Sequence, residues 1–112
     1  MFRVYGSQNF TKMKLLKLFS EVKDENLKKE QLEDYYSTLS RYRADVKIEL
    51  SGLQKERAMF LLNVHGQDET VAQRKINWQG TEKGQREIEL KAYVSALGDH
   101  LNSLKTRIYA LL

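Results

Sequence analysis

The feature that most constrains the fold is an apolar stripe near the carboxyl end of the sequence. Its members alternate at spacings of four and three residues, the a and d positions of a heptad repeat. They are Leu90, Val94, Leu97, Leu101, Leu104, Ile108 and Leu111, which we call the heptad seam. Because so narrow a stripe buries itself against a facing helix, the pattern predicts coiled-coil-like pairing. The facing helix is a second helix of this chain, another copy of the chain, or both, and we expect a homo-oligomer, most simply a dimer.

A second apolar row predicts one long helix in the middle of the chain. Apolar residues recur there at every seventh position, at Leu32, Leu39, Val46, Leu53 and Phe60. Asp24, Glu25 and Asn26 place a cap and early acids where a helix begins. A helix from about residue 25 to 62 would be roughly 57 Å long.

The remaining segments complete the layout. Residues 1–9 are predicted to be an irregular or short extended lead-in, and Phe10 to Val22 a first helix. A break at Gly66 and a short helix from Asp68 to Gln79 would form a reversal before the last helix. We therefore predict an all-α fold, an elongated helical hairpin or coiled-coil-like bundle of three to four helices. It would be a single domain, 1–112, made of a basic segment 1–23, a long helix 24–63, a reversal 64–80 and a heptad helix 81–112.

Composition excludes several classes of protein and site. Charged residues make up 30% of the chain and hydrophobic residues 41%, which is typical of a folded protein. Cysteine is absent, so disulfides and thiolate metal ligands are excluded. The longest apolar run, residues 58–62, is far too short for a membrane span. No signal peptide is recognised at the start of the sequence, and we expect a cytoplasmic protein.

Enzyme signatures are also missing from the sequence. There is no glycine-rich phosphate loop, no nucleophile elbow and no His-Glu-x-x-His pair. Glu30, Glu33 and Asp34 share a helix face, but pairing with neighbouring lysines is a commoner role for such acids than binding a metal. We therefore expect no catalytic residue, no metal site and no cofactor.

The net charge of +4 comes from the N-terminal segment. Residues 1–23 hold five Lys or Arg and one acid, whereas residues 24–62 hold seven and eight. Long-range attraction of an anionic partner is therefore expected at the N-terminus.

Three clusters combine cations with aromatic residues, as nucleic-acid or protein contacts do. They are an N-terminal cluster of Phe2, Arg3, Tyr5, Phe10, Lys12, Lys14 and Lys17, a tyrosine–arginine cluster of Tyr35, Tyr36, Arg41, Tyr42 and Arg43, and a cluster at the reversal of Arg74, Lys75 and Trp78. The alternative for each is ordinary packing, with the charges on a solvated face, and for the N-terminal cluster also contact with an anionic membrane. Packing is the commoner role for tyrosines in an interior row and for a lone tryptophan. The candidate contact residues are Arg3, Lys12, Lys14, Lys17, Arg41, Arg43, Arg74, Lys75 and Trp78.

The second half of the chain has a recognisable layout. A helix ends at Met59-Phe60-Leu61-Leu62-Asn63, followed by His65-Gly66-Gln67-Asp68-Glu69, then Arg74-Lys75 and a long charged helix. Over residues 48–112 this layout resembles small helical proteins of tailed phages, most closely the UvsY-type recombination mediators. The resemblance implies a helical oligomer that binds single-stranded DNA and a recombinase, with Arg74 and Lys75 among the basic residues at the reversal.

Two functions are consistent with these features. The first is a non-enzymatic phage-type accessory protein that binds single-stranded DNA, recombination or replication proteins, or both. The second is a protein-binding inhibitor or adaptor that blocks a host nuclease or defence complex, as anti-CRISPR proteins do. Such an inhibitor can present acids to a nucleic-acid channel, and the candidate acids are Glu25, Glu30, Glu33 and Asp34.

Overall fold

A computed structural model describes the backbone of residues 3–63 and 69–112 and the side chains of residues 12–63 and 69–112. The chain is all-α, and no strand occurs within those ranges. The four helices are α1 (Arg3–Glu21), α2 (Lys29–Leu62), α3 (Val71–Gln79) and α4 (Glu82–Ala110). The predicted all-α class with three to four helices is thus confirmed.

Polar side chains cap the beginnings of the three later helices. Before α2, the Lys28 amide donates to Gln31 Oε1 at 2.8 Å. Thr70 Oγ1 accepts from the Gln73 amide at 3.1 Å at the start of α3, and Thr81 Oγ1 accepts from the Gly84 amide at 2.9 Å at the start of α4. Each bond satisfies an amide that a helix leaves without an internal partner.

The helix beginnings differ from the sequence prediction at three places. α1 begins at Arg3, so the predicted irregular lead-in is wrong for residues 3–9, and residues 1 and 2 lie outside the described residues. Glycine costs only about 1 kcal/mol in a helix and asparagine less, and this cost does not stop the helix at Gly6 or Asn9. α2 begins at Lys29 rather than near residue 25, and α3 is capped by Thr70. The predicted α3 cap, Asp68, lies outside the described residues.

The chain divides into two compact units, and the predicted single domain stays a prediction. Unit 1 consists of residues 1–40 and 99–112, and unit 2 of residues 41–98. Unit 1 thus holds α1, the first part of α2 and the end of α4. Unit 2 holds the rest of α2, all of α3 and the first part of α4.

Apolar residues from all three of its helices form the core of unit 1. Leu15 and Leu39 are completely buried, and Leu104 is 1% exposed. Val22, Leu32 and Leu101 complete the buried set. α1 therefore supplies a third wall beside the α2 and α4 segments of this unit.

In unit 2, α2 and α4 lie side by side in antiparallel directions. Arg86 of α4 donates to Glu49 of α2, and Arg43 of α2 donates to the Val94 carbonyl of α4. The buried apolar residues are Val46, Leu53, Trp78, Leu90 and Leu97. α3 closes one end of this pair because its Trp78 ring lies 5.5 Å from the ring of Phe60 on α2.

The heptad seam is mostly covered by the chain itself. Leu90, Leu97, Leu101 and Leu104 are buried, while Val94 and Ile108 are half-buried. Only Leu111 is well exposed, at 54%. Of the alternatives for the facing helix, the structure thus shows the one within the chain, and self-association stays a prediction.

Two glycines inside helices give opposite predictions for alanine substitution. A Cβ atom at Gly52 would meet nothing within 4 Å, whereas one at Gly84 would overlap the carbonyl oxygen of Trp78 and lie 2.7 Å from its carbonyl carbon. Gly52→Ala should raise the free energy of unfolding by about 0.5–1 kcal/mol through helix propensity. Gly84→Ala should lower it by about 1–3 kcal/mol because backbone must move. Urea denaturation of the two variants checks this, and equal effects would contradict the packing of α3 on α4.

Candidate binding surfaces

The described part of α1 presents cations around its outward side. Lys12, Lys14 and Lys17 are all exposed, while Leu15 between them is buried in the core of unit 1. Met13 and Leu16 are 72% and 55% exposed beside these lysines. We call the five exposed residues Lys12, Met13, Lys14, Leu16 and Lys17 the α1 face. The side chain of Arg3, the fourth cation predicted here, lies outside the described side chains.

Three interactions hold the end of α1 against the other helices of unit 1. The ring of Phe19 stacks on His100 of α4, with centroids 4.4 Å apart and planes 20° apart. Arg107 of α4 donates to the Val22 carbonyl at 2.6 Å, just beyond the last turn of α1. Tyr35 of α2 donates to Glu21 at 3.3 Å. Sequence reasoning missed these contacts because they join residues far apart in the chain without a local pattern.

Two titratable groups at this contact have shifted pKa values. Burial, together with the nearby Lys23 ammonium, lowers the pKa of His100 below its ordinary value, although Asp99 opposes the shift. Burial and the charge and hydrogen bond of Glu21 raise the pKa of Tyr35. Both shifts favour neutral rings where α1 packs on the unit.

The predicted tyrosine–arginine cluster on α2 divides between packing and exposure. Tyr35 and Tyr42 are half-buried, which agrees with the packing alternative. Arg43 is half-buried too, and its Nε donates to the Val94 carbonyl at 3.3 Å. Arg41 is exposed, and Tyr36 is 36% exposed. Only these last two retain the accessibility that a contact residue needs.

The predicted cluster at the reversal is largely built into unit 2. Trp78 is 4% exposed, and its Nε1 donates to Glu87 Oε1 at 2.8 Å. Arg74 donates to the Leu61 carbonyl at 3.0 Å and lies 3.3 Å from Glu69. Lys75 alone of the three is exposed. The packing alternative for Trp78 therefore agrees with the structure.

Glu87 is a buried carboxylate that sequence reasoning did not single out. The residue is 3% exposed. Its Oε2 lies 3.3 Å from Arg57 Nη1 and 3.7 Å from Lys91 Nζ. This oxygen accepts no hydrogen bond from the described residues. A buried charge is tolerated where opposite charges and donors surround it. In the sequence, Glu87 lies three residues before the seam leucine Leu90. Nothing in that position distinguishes it from an ordinary acid on the surface of a helix.

A groove borders this carboxylate in unit 2. It has a volume of about 360 Å³, and we call it the α3 groove. Its walls include apolar side chains and three cations. Among the lining residues are Arg57, Lys75, Trp78, Glu87, Ile88 and Lys91.

The acids proposed for mimicry of nucleic acid lie together at the start of α2 and just before it. Glu25, Glu30, Glu33 and Asp34 are all exposed. No group of three or more acids and histidines among the described residues is arranged to hold a metal ion. These side chains are thus available to a macromolecular partner.

No protein-family model matches the chain, and neither a curated protein nor a solved structure is significantly similar to it. No helix in the described part of the chain is long and apolar enough to cross a membrane.

The lowered pKa of His100 predicts a pH effect on stability. Between the ordinary histidine pKa of about 6.5 and the lower folded value, the unfolded chain binds more protons than the folded chain. The contribution of His100 to the free energy of unfolding is therefore lost as pH falls through that window. Urea denaturation at about pH 7.5 and about pH 5.5 should show a smaller drop for His100→Asn than for the wild type. Equal drops would contradict the buried stacking of His100 on Phe19.

Proposed function

We propose that the protein is a non-enzymatic accessory factor that binds single-stranded DNA through α1 and works with recombination or replication proteins, as phage-type mediators do. The observation that carries the proposal is the charge of the α1 face. Within Arg3–Glu21 there are four Lys or Arg and a single acid, and the described lysines are exposed. Cations that contact phosphates release counterions from the strand, which drives sequence-independent binding.

The pattern of charge pairing in unit 2 supports this choice of surface. Arg86 binds Glu49 and Glu89, Lys83 pairs with Glu56, and Arg57 lies against Glu87. Each of these cations is thus paired with an acid of the same unit. The α1 segment keeps a net positive charge whatever local contacts its lysines make, since Glu21 is its only acid.

Exposed aromatic rings in unit 1 support a single strand as the target. Tyr36 and Tyr109 are 36% and 61% exposed and border a groove of about 270 Å³ together with Lys105. Lys105 Nζ lies 5.7 Å from the centroid of Tyr109. Unpaired bases stack on such rings, and cations beside them add to the attraction. We therefore propose that bases stack on these two tyrosines.

The α1 face also supports a protein partner in the same process. Met13 and Leu16 expose apolar surface between lysines, and methionine is enriched where proteins meet. A recombinase or replication protein with an acidic, partly apolar surface would suit this face. We further propose that the protein acts in the cytoplasm, where DNA-processing partners of phage proteins are found.

The exposed acids of α2 favour a second candidate function. Glu25, Glu30, Glu33 and Asp34 form an anionic surface that can occupy the nucleic-acid channel of a host nuclease or defence complex. An inhibitor of this kind would bind its protein target in salt-sensitive fashion and would have no need of DNA.

Changing Lys12, Lys14 and Lys17 to glutamine should weaken binding to single-stranded DNA of any sequence. The plot of log affinity against log salt has a negative slope, and each lost phosphate contact makes it less steep by about 0.7. The loss of three contacts should therefore flatten the slope by about 2. Fluorescence anisotropy with a labelled oligothymidine and a mixed-sequence strand, titrated over a range of salt, measures both effects.

The matched control replaces three other exposed lysines, Lys29, Lys47 and Lys55, with glutamine. It removes the same charge from α2 and should change the slope little. An equal loss in both variants would mean that only net charge matters. No affinity of the wild type at low salt would decide against DNA and for the inhibitor.

Replacing Tyr109 with alanine tests the proposed stacking surface. The substitution should lower affinity for single-stranded DNA by roughly 1–3 kcal/mol and leave the salt slope unchanged, because no phosphate contact is removed. Tyr93, half-buried in unit 2, supplies the comparison: Tyr93→Ala should lower thermal stability without this loss of affinity. An unaltered affinity in Tyr109→Ala would remove the tyrosine groove from the proposed interface.

A further inference from the structure

The α3 groove combines apolar walls with a ring of cations. Ala58 and Leu61 of α2, Trp78 of α3 and Ile88 of α4 form its apolar part. Ile88 is 49% exposed, so this wall is accessible. A concave, partly apolar surface with a few charged groups is the usual form of a ligand site.

Positive charge dominates the polar part of the groove. Arg57, Lys75 and Lys91 line it, and Glu87 is the one acid among its lining residues. Two of the three cations lie against the same carboxylate oxygen of Glu87. One negative charge thus faces three positive ones, and the groove attracts an anion.

The buried carboxylate holds two of the cations in place. Its Oε1 accepts from Trp78, and its Oε2 lies within ion-pair distance of Arg57 and Lys91. The side chains of Arg57 and Lys91 remain 38% and 50% exposed, so they can bind a further group. Lys75 is exposed and adds a cation from the α3 side. Cations positioned before binding lose less conformational entropy when a ligand arrives.

The same geometry argues against a nucleic-acid strand in this groove. Trp78 is almost fully buried and offers no open ring face on which a base could stack. The accessible apolar wall is aliphatic and contains Ile88 and Ala58. A carboxylate beside an aliphatic side chain matches both parts of the groove, as an acidic peptide segment presents them.

We propose that the α3 groove is a docking site for a short acidic segment of a partner protein, in which an aspartate or glutamate neighbours an apolar residue. The acid binds between Lys75 and Lys91, and the apolar neighbour packs against Ile88 and the edge of Trp78. This site belongs to unit 2 and does not depend on DNA binding by α1. It is a second surface, through which the protein recognises a protein.

Selection from a displayed library of random seven-residue peptides on the 112-residue protein tests the proposal. The enriched peptides should pair an acid with an apolar neighbour. Trp78 is the single tryptophan of the chain, so its fluorescence should change when a synthetic enriched peptide is titrated. Affinity for that peptide should fall about tenfold or more in the Lys75→Glu/Lys91→Glu variant and by a smaller factor in Lys75→Gln/Lys91→Gln.

The control reverses two exposed lysines of the same unit outside the groove, in Lys47→Glu/Lys55→Glu. It should keep the affinity of the wild type, as should the triple glutamine variant of α1. Circular dichroism and thermal melting of all variants establish that they fold alike. If Lys75→Glu/Lys91→Glu does not fold, Lys75→Gln/Lys91→Gln replaces it in the comparison of affinities. The proposal would be overturned if no selected peptide bound better than the unselected library, or if the enriched peptides lacked acids. Equal peptide affinity in the groove and control variants, or binding of single-stranded DNA through Lys75 and Lys91, would also overturn it.

Discussion

Burial of the apolar stripe on α4 is the constraint on which the rest of the structure depends. In each unit a third helix adds buried apolar residues beside the α2 and α4 segments. α1 closes unit 1 with Leu15, together with Val22 just beyond its end, and α3 closes unit 2 with Trp78. Both helices also contribute to the proposed binding surfaces, α1 with its exposed lysines and α3 with Lys75 and Trp78 beside the α3 groove.

Polar contacts specify how each additional helix sits. In unit 1, Arg107 reaches backbone carbonyls just beyond the end of α1, where a helix carries partial negative charge. In unit 2, the indole of Trp78 needs an acceptor when buried, and Glu87 supplies one. A buried carboxylate needs cations in turn, and Arg57 and Lys91 approach it. The cationic groove thus follows from burying a tryptophan.

Sequence periodicity predicted the parts of this fold that repeat, and it failed where contacts are single and distant. Rows such as Leu32, Leu39 and Val46 identified α2 because helix geometry imposes the spacing. The predicted start of α1 was wrong because the helix-propensity cost of residues such as Gly6 and Asn9 is small. For the sites, packing was the commoner expectation for Trp78 and agrees with its burial, whereas its acceptor Glu87, nine residues away on another helix, had no local signal in the sequence.

The seam itself shows how one pattern permits two outcomes. An uninterrupted row of a and d residues specifies a facing helix but not the molecule from which that helix comes. Here Leu90, Leu97 and Leu104 are at most 1% exposed within a single chain, so those positions have no apolar surface left for a second copy. Self-association would have to use surfaces that stay open, such as the exposed side of α1 or the end of α4 at Leu111. A partner that binds the same surfaces would then compete with a second copy, and the occupied state would depend on their relative concentrations.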